Sequence, residues 1–277
     1  MKLYKNKDGV IIQNGDSYYF VRSNWDDFVN DDNLFDKVTE ITKQANPVNN
    51  GLEIISKDSS APVGLQELWA CGVTYFRSKQ GRQEESQKAG SADFYQHVYE
   101  AERPEIFFKA AANRIVGHKE KVRIRKDSTW DVPEPELTLL ITSNQKIVGY
   151  TIGNDMSSRS IEGENPLYLP QAKTYDKCAA IGPCIYVTND PLPAETQIDL
   201  KIRRENKVIF EDTVAISQIK RSFDELAAFL YRECTFPYGS LLMTGTGIVP
   251  SSAFTLQSGD EIQIMIDNIG TLINEVE

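Results

Sequence analysis

The sequence predicts an α+β fold, mostly β, with a small N-terminal α/β unit over residues 1–64 and a larger β-rich unit over residues 65–277. Three observations predict it. Beyond residue 104 the chain is a succession of short runs rich in Val, Ile, Leu, Thr and Tyr, broken by turn-forming residues. Ahead of residue 64, strand-like pieces give way to apolar residues at helical spacing. Between the two, residues 45–64 are rich in Asn, Pro, Gly and Ser, the composition of a loop-rich bridge. Many short strands with turns between them suggest a closed or rolled β core.

Taken in order, Val10-Ile11-Ile12 and Ser17–Arg22 read as strands. Leu34, Phe35, Val38 and Ile41 predict a helix over residues 33–44. Leu68–Val73 is a short apolar strand. Arg77, Lys79, Arg82, Glu84, Glu85 and Lys88 then mark a polar stretch that reads as a solvated helix or a lid, and residues 93–99 have helical character. Strands are predicted over 105–110, 121–125, 136–142, 146–153, 180–187, 197–203, 207–214, 241–244 and 261–266. One helix interrupts them. Ser222-Phe223-Asp224-Glu225 is a capping box, and Leu226, Phe229 and Leu230 form the apolar face behind it.

The chain of 277 residues carries a formal net charge of -10, which argues against nucleic acid or an anionic membrane as partner. Four cysteines (Cys71, Cys178, Cys184 and Cys234) without C-x-x-C spacing, and only two histidines (His97 and His118), argue against a zinc site. Both histidines read as structural or solvated. No apolar run reaches membrane-spanning length, and the first residues lack the apolar core of a secretory signal. The expectation is a cytoplasmic protein with reduced thiols.

Chemistry concentrates in W-D-V-P-E-P-E-L-T-L-L-I-T-S-N-Q-K-I-V-G-Y-T-I-G-N-D, residues 130–155, which reads as one β-hairpin turning at Ser143-Asn144-Gln145. Glu134 and Glu136 are two apart and share a face. A turn centred between Asn144 and Gln145 makes cross-strand partners sum to 289, which sets Asp155 opposite Glu134. Three acids that close raise one another's pKa unless a cation neutralises them. An all-oxygen set suits Mg²⁺, Mn²⁺ or Ca²⁺. Acids at strand ends are commonly just solvated, but Pro133 and Pro135 remove ladder donors here for no gain in sheet stability.

The pieces V-P-E-P-E-L, N-D-M-S-S-R-S-I-E, A-K-T-Y-D, I-G-P, T-G-T and I-G-T-L occur in that order over about residues 104–277. Together they resemble the fumarylacetoacetate hydrolase family. The resemblance implies a mixed β-roll catalytic domain, a homodimer or homotetramer, and Mg²⁺ or Mn²⁺ on Glu134, Glu136 and Asp155. It also implies a small 2-oxo acid substrate, with the cation stabilising the enolate formed at C3. Arg159, Ser157, Tyr75 and Thr246 are then expected to bind substrate, and Lys173 to act near the developing oxyanion. On sequence alone Arg159 reads equally as an ion-pair partner of Glu162 or Glu164, Lys173 as a surface lysine, and Thr246 as part of a glycine-rich turn.

One departure bears on the reaction. Hydrolytic members carry a catalytic His in a segment resembling N-Y-x-x-H-x-x-E. Here V-T-Y-F-R-S-K places Tyr75 in register but Ser78 where the His would stand. The G-V-T-Y segment, Y-E-A-E-R-P-E-I-F-F-K (99–109) and E-N-P-L-Y-L-P-Q-A-K (164–173) resemble instead the 2-keto-3-deoxy-sugar-acid dehydratases of the same family. That resemblance implies conversion of a 2-keto-3-deoxypentonate to 2,5-dioxopentanoate, a reaction that needs no water nucleophile. Glu84 or Glu85 is then the expected acid/base on a closing lid, though both read almost as well as a solvated helix face. Two alternatives stay open: a metal-dependent C–C hydrolase, isomerase or decarboxylase of acylpyruvate-like acids, and a non-catalytic binder of 2-oxo acids.

Overall fold

A computed structural model describes residues 1–80 and 92–277. Along the chain run β1 (Lys2–Asn6), β2 (Gly9–Asn14), β3 (Ser17–Val21), α1 (Trp25–Val29), α2 (Leu34–Gln44), α3 (Gly51–Asp58), β4 (Ser59–Ser60) and β5 (Glu67–Gly72). There follow α4 (Ala92–Glu100), β6 (Glu105–Ala110), β7 (Ile115–Val116), β8 (Lys121–Val122), β9 (Asp131–Val132), β10 (Pro135–Ile141), β11 (Ile147–Asp155) and β12 (Ser157–Ser158). The last third holds α5 (Arg159–Glu164), α6 (Leu169–Lys173), β13 (Ala179–Tyr186), β14 (Gln197–Arg204), β15 (Lys207–Ala215), α7 (Phe223–Tyr231), β16 (Ser240–Met243), β17 (Glu261–Ile266) and β18 (Gly270–Val276).

The fold is mostly β. One mixed sheet runs β3-β2-β1-β13-β11-β10-β16-β5-β6, with β4 on β1 and β7 on β13. A second sheet runs β15-β14-β17-β18-β8. The two close on each other through an apolar layer that joins Leu137 and Ile152 to Ile198, Leu200, Ile264 and Leu272. Helices cover other faces of the larger sheet. Trp25, Phe28, Leu34 and Val38 pack with Leu140 and Ile185, while Leu226, Ala227 and Leu230 pack with Leu139, Ile141 and Leu242. Strand β10 is buried along its whole length, so it holds the site hairpin rigidly.

Of the elements that were not predicted, three shape the fold most. Strand β1 alternates too many polar residues to read as a strand, yet it pairs with β13 and draws the N-terminal strands into the main sheet. Strand β18 pairs with β17 and turns Leu272, Asn274 and Val276 inward. Helix α3 lies in the loop-like bridge, where Gly51 lets it approach Tyr18; a Cβ there would stand 2.2 Å from the tyrosine side chain. The predicted capping of α7 is present: the Ser222 hydroxyl accepts from the Glu225 N–H at 3.1 Å.

The hairpin of β10 and β11 keeps the predicted register from Pro135↔Asn154 to Leu140↔Gly149. The turn is one residue tighter. Gln145 adopts φ 67, its N–H donates to the Thr142 carbonyl, and a bulge between Leu140 and Ile141 restores the pairing. Beyond the last pair, the Asp155 N–H donates to the Glu134 carbonyl at 2.9 Å.

Candidate metal centre

Period-two alternation on β10, continued through the extended Pro133-Glu134 step, aims Glu134 and Glu136 at one volume, and β11 delivers Asp155 into it. One carboxylate oxygen of each lies within 4.8 Å of the others, and all three side chains are buried. Glu136 accepts from the Gly245 N–H at 2.6 Å. Gly245 has φ +95, and a Cβ on it would meet the Thr74 hydroxyl at 2.0 Å, so the T-G-T turn can approach the carboxylate only as glycine.

Three cations face these acids. The ammonium of Lys173, at the end of α6, donates to Glu134 at 2.6 Å, Asp155 at 2.8 Å and the Ser157 hydroxyl at 2.6 Å, with Glu162 at 3.4 Å. Arg159, which opens α5, donates to Glu134 at 2.8 Å, and its Nε lies 3.9 Å from Glu162. Lys109, on β6, pairs with the other Asp155 oxygen at 2.5 Å. Burial first, then the charges of Asp155 and Glu134, hold the Glu136 carboxyl well above the usual carboxylate range. Burial also pushes Asp155 upward, but Lys109 and Lys173 outweigh it and leave its pKa lowered.

The charge balance tests whether a cation fits. Four buried acids (Glu134, Glu136, Asp155 and Glu162) face three buried bases (Lys109, Arg159 and Lys173), which leaves one net negative charge. A divalent cation and a singly charged substrate carboxylate bring that total to zero. The oxygen-only donors suit a hard ion, and burial beside two other acids, which raises the pKa of Glu136, is a strain a cation there would relieve. The residues fit the group.

A small cleft opens over the acids, lined by Gly72, Val73, Phe107, Arg159, Lys173 and Thr246, with Cys71 and Ser78 in its wall. Thr246 reaches it, although its hydroxyl also accepts from the Ile248 N–H at 3.2 Å within the turn. Ser157 sits under Lys173 and donates to the Asp155 carbonyl at 3.0 Å. The Tyr75 ring packs in the core between the sheets, where a Cβ on Gly247 would stand 2.6 Å from it. Ser78 lies on a helical turn over residues 76–80 and donates to the Tyr75 carbonyl at 2.8 Å. Glu84 and Glu85 lie outside the described residues. The His118 Nδ1 accepts from the Ile273 N–H at 3.1 Å, in a turn against β18, and burial lowers its pKa.

Sequence reasoning did not single out Lys109 or Phe107, and took Glu162 only as a partner for Arg159. The Lys173 ammonium stands 5.5 Å over the Phe107 ring. Glu105 belongs to the same set, because a Cβ on the cleft glycine Gly72 would stand 2.1 Å from its carboxylate. The available signal was alternation: residues 105, 107 and 109 share a face of a short strand, and a lysine on an otherwise inward face needs a buried partner.

Comparison with known proteins gives a consistent outcome. The family model "Fumarylacetoacetate (FAA) hydrolase C-terminal" matches residues 74–277. The chain is 47% identical over 238 residues to a "Probable 2-keto-3-deoxyxylonate dehydratase" of Haloferax volcanii, covering 86% of this chain and 80% of that one. It is 43% identical over 247 residues to a "2-dehydro-3-deoxy-D-arabinonate dehydratase" of Saccharolobus solfataricus, covering 88% and 82%. A solved structure described as "2-keto-3-deoxy-D-arabinonate dehydratase complexed with magnesium and 2,5-dioxopentanoate" superposes with a TM-score of 0.84 at 34% identity, covering 100% of this chain and 99% of that one.

Proposed function

We propose that this chain, which belongs to the fumarylacetoacetate hydrolase family, is a Mg²⁺-dependent dehydratase that converts a 2-keto-3-deoxypentonate to 2,5-dioxopentanoate. It is a hydro-lyase. Elimination removes a C3 proton and the C4 hydroxyl as water; the double bond then migrates to C4–C5, and the resulting enol tautomerises to the C5 aldehyde. The observation that carries elimination over hydrolysis is Ser78, whose hydroxyl is tied to the backbone in the cleft wall where hydrolytic relatives would hold an imidazole base.

Glu134, Glu136 and Asp155 are the residues that would hold the cation. When bound, it supplies Lewis-acid stabilisation of the enolate charge that develops as C3 loses its proton. Lys173 pairs with two of these carboxylates and also lines the cleft, and we assign it the proton exchange. Arg159 and Thr246 face the cleft, where a substrate carboxylate would find a guanidinium and a hydroxyl. Ser157 orients Lys173 rather than reaching for substrate, and Tyr75 shapes the turn carrying Thr246. Glu84 or Glu85 remains our assignment for the second acid/base.

We place the catalytic unit in residues 65–277, a division supported by the family match from residue 74, with residues 1–64 as an accessory unit. We also propose a cytoplasmic homodimer or homotetramer. The four cysteines are free thiols, and Leu167 and Tyr168 leave apolar surface beside the site helices. Among the described residues no helix is long and apolar enough to cross a membrane. The test is turnover of 2-keto-3-deoxypentonate by protein stripped with chelator and reloaded with Mg²⁺. Dehydration that returns with the metal supports the reading; full activity in chelator refutes it.

A further inference from the structure

Lys109 is fully buried, and its ammonium makes three short polar contacts. It pairs with Asp155 Oδ1 at 2.5 Å, donates to the Met156 carbonyl at 2.9 Å and donates to the Lys173 carbonyl at 2.5 Å. All three partners are protein oxygens, one met as an ion pair and two as hydrogen-bond acceptors. Among the described residues, Lys173 and not Lys109 lines the cleft over the acids, so Lys109 does not take part in the chemistry directly.

What it joins is specific. Asp155 and Met156 end β11, the strand that delivers one acid of the cluster. Lys173 ends α6, and its carbonyl is one of the four that a helix C-terminus leaves without an internal partner. A buried cation satisfies that carbonyl at the negative end of the helix. Two residues earlier on the same face of β6, the Phe107 ring lies 5.5 Å under the Lys173 ammonium. Strand β6 therefore touches Lys173 twice, at its backbone through Lys109 and at its head group through Phe107. The aspartate divides its two oxygens between the two lysines, Oδ1 to Lys109 and Oδ2 to Lys173.

We propose that Lys109 is a positioning residue: it fixes the rotation of the Asp155 carboxylate and the distance between β11 and the end of α6, so that Asp155 faces the cation and Lys173 faces the reacting carbon. This rests on the assignment of Glu134, Glu136 and Asp155 as the cation's ligands. A lysine that merely stabilised the fold would alter thermal stability and leave ligand geometry alone. A positioning lysine alters cation affinity and turnover together.

The test titrates Mn²⁺ into chelator-stripped protein, followed by electron paramagnetic resonance, and measures kcat and KM separately. Lys109→Met is expected to weaken Mn²⁺ binding about tenfold or more and to lower kcat about a hundredfold, with KM within about threefold, the pattern of an interaction expressed in the transition state. Lys109→Arg keeps the charge but not the tripod. It is expected to restore most of the Mn²⁺ affinity while kcat stays at least about tenfold low, because its planar fork cannot meet three divergent acceptors. If Lys109→Met fails to fold, the arginine variant decides: parental kcat overturns the proposal, and low kcat at near-parental Mn²⁺ affinity supports it. If Lys109→Met folds and keeps parental affinity and kcat, the proposal is overturned. Glu136→Gln, run in parallel, separates the two layers. If it also keeps full Mn²⁺ affinity, the ligand assignment itself is wrong; if it loses affinity while Lys109→Met does not, only the role of Lys109 fails.

Discussion

Replacing Lys173 with methionine keeps an unbranched side chain, one atom shorter, and deletes its charge. The ammonium makes three bonds, of 2.6, 2.8 and 2.6 Å, to Glu134, Asp155 and Ser157, all in a buried setting. Its loss leaves four buried acids against two buried bases. Breaking one partner out of a buried ion network costs about 3–5 kcal/mol, because the remaining charge is stranded. For 277 residues the unfolding entropy is about 0.6 kcal/mol per degree, so the metal-free variant should melt about 5–9 °C below the parent. On the proposed ligand set Mg²⁺ would bind the same carboxylates and supply the missing charge, so the gap should narrow when the cation is present. Catalysis should not recover with it: kcat should fall by about 10²–10⁴, the usual worth of a positioned acid/base, with KM little changed. The assays are thermal melts with chelator and with Mg²⁺, and steady-state kinetics on 2-keto-3-deoxypentonate. Melting within about 2 °C of the parent in chelator, together with kcat within about threefold, would overturn the role given to Lys173.

Glu136→Gln should abolish Mg²⁺-dependent turnover and Mg²⁺-induced stabilisation. Since burial and like charges oppose ionisation of Glu136, the metal-free variant should be at least as stable as the parent near neutral pH; a large loss of stability would contradict this. Asp131 is pushed up to about 6, chiefly by burial. Below the unfolded-state value of about 4 both states hold the proton, and as pH rises toward 6 only the unfolded state releases it, so the parent loses stability through that window and then levels off. Asp131→Asn should therefore gain about 1–2 kcal/mol at pH 7.5 and nothing at pH 3.5, measured by denaturant midpoints; a gain independent of pH would count against it. Ser78→His should not raise the dehydration rate, and crowding a nearly closed wall should cost about 1–3 kcal/mol of stability; a faster enzyme would mean that elimination lacks a base there.

The hairpin was legible because two strong local rules coincide in it. Strand alternation fixes which side Glu134 and Glu136 take, and the polar turn fixes what lies across from them. The register survived a misplaced turn centre because the bulge at Ile141 absorbed the difference. Lys109 was not legible because the default for a lysine in a strand is solvent, and only the tertiary approach of β11 and α6 gives its ammonium three acceptors. Arg159 could have been a substrate anchor or an ion pair with Glu162; the structure gives it Glu134 as its nearest acid while leaving it in the cleft wall, a placement that no spacing argument reaches. Strands β1 and β18 escaped for a different reason. Each pairs along most of its length with its hairpin neighbour, β1 with β2 and β18 with β17, but carries polar residues that break the apolar pattern by which a strand is read.

The proposed reaction is elimination from a sugar acid in a cleft whose wall holds Ser78 rather than an imidazole. It is tested most directly by incubating the Mg²⁺-loaded protein in parallel with a 2-keto-3-deoxypentonate and with an acylpyruvate, and identifying the products by NMR and mass. The expected outcome is 2,5-dioxopentanoate and one water from the first and no cleavage of the second. Efficient splitting of the acylpyruvate into two acids, with the sugar acid untouched, would contradict it.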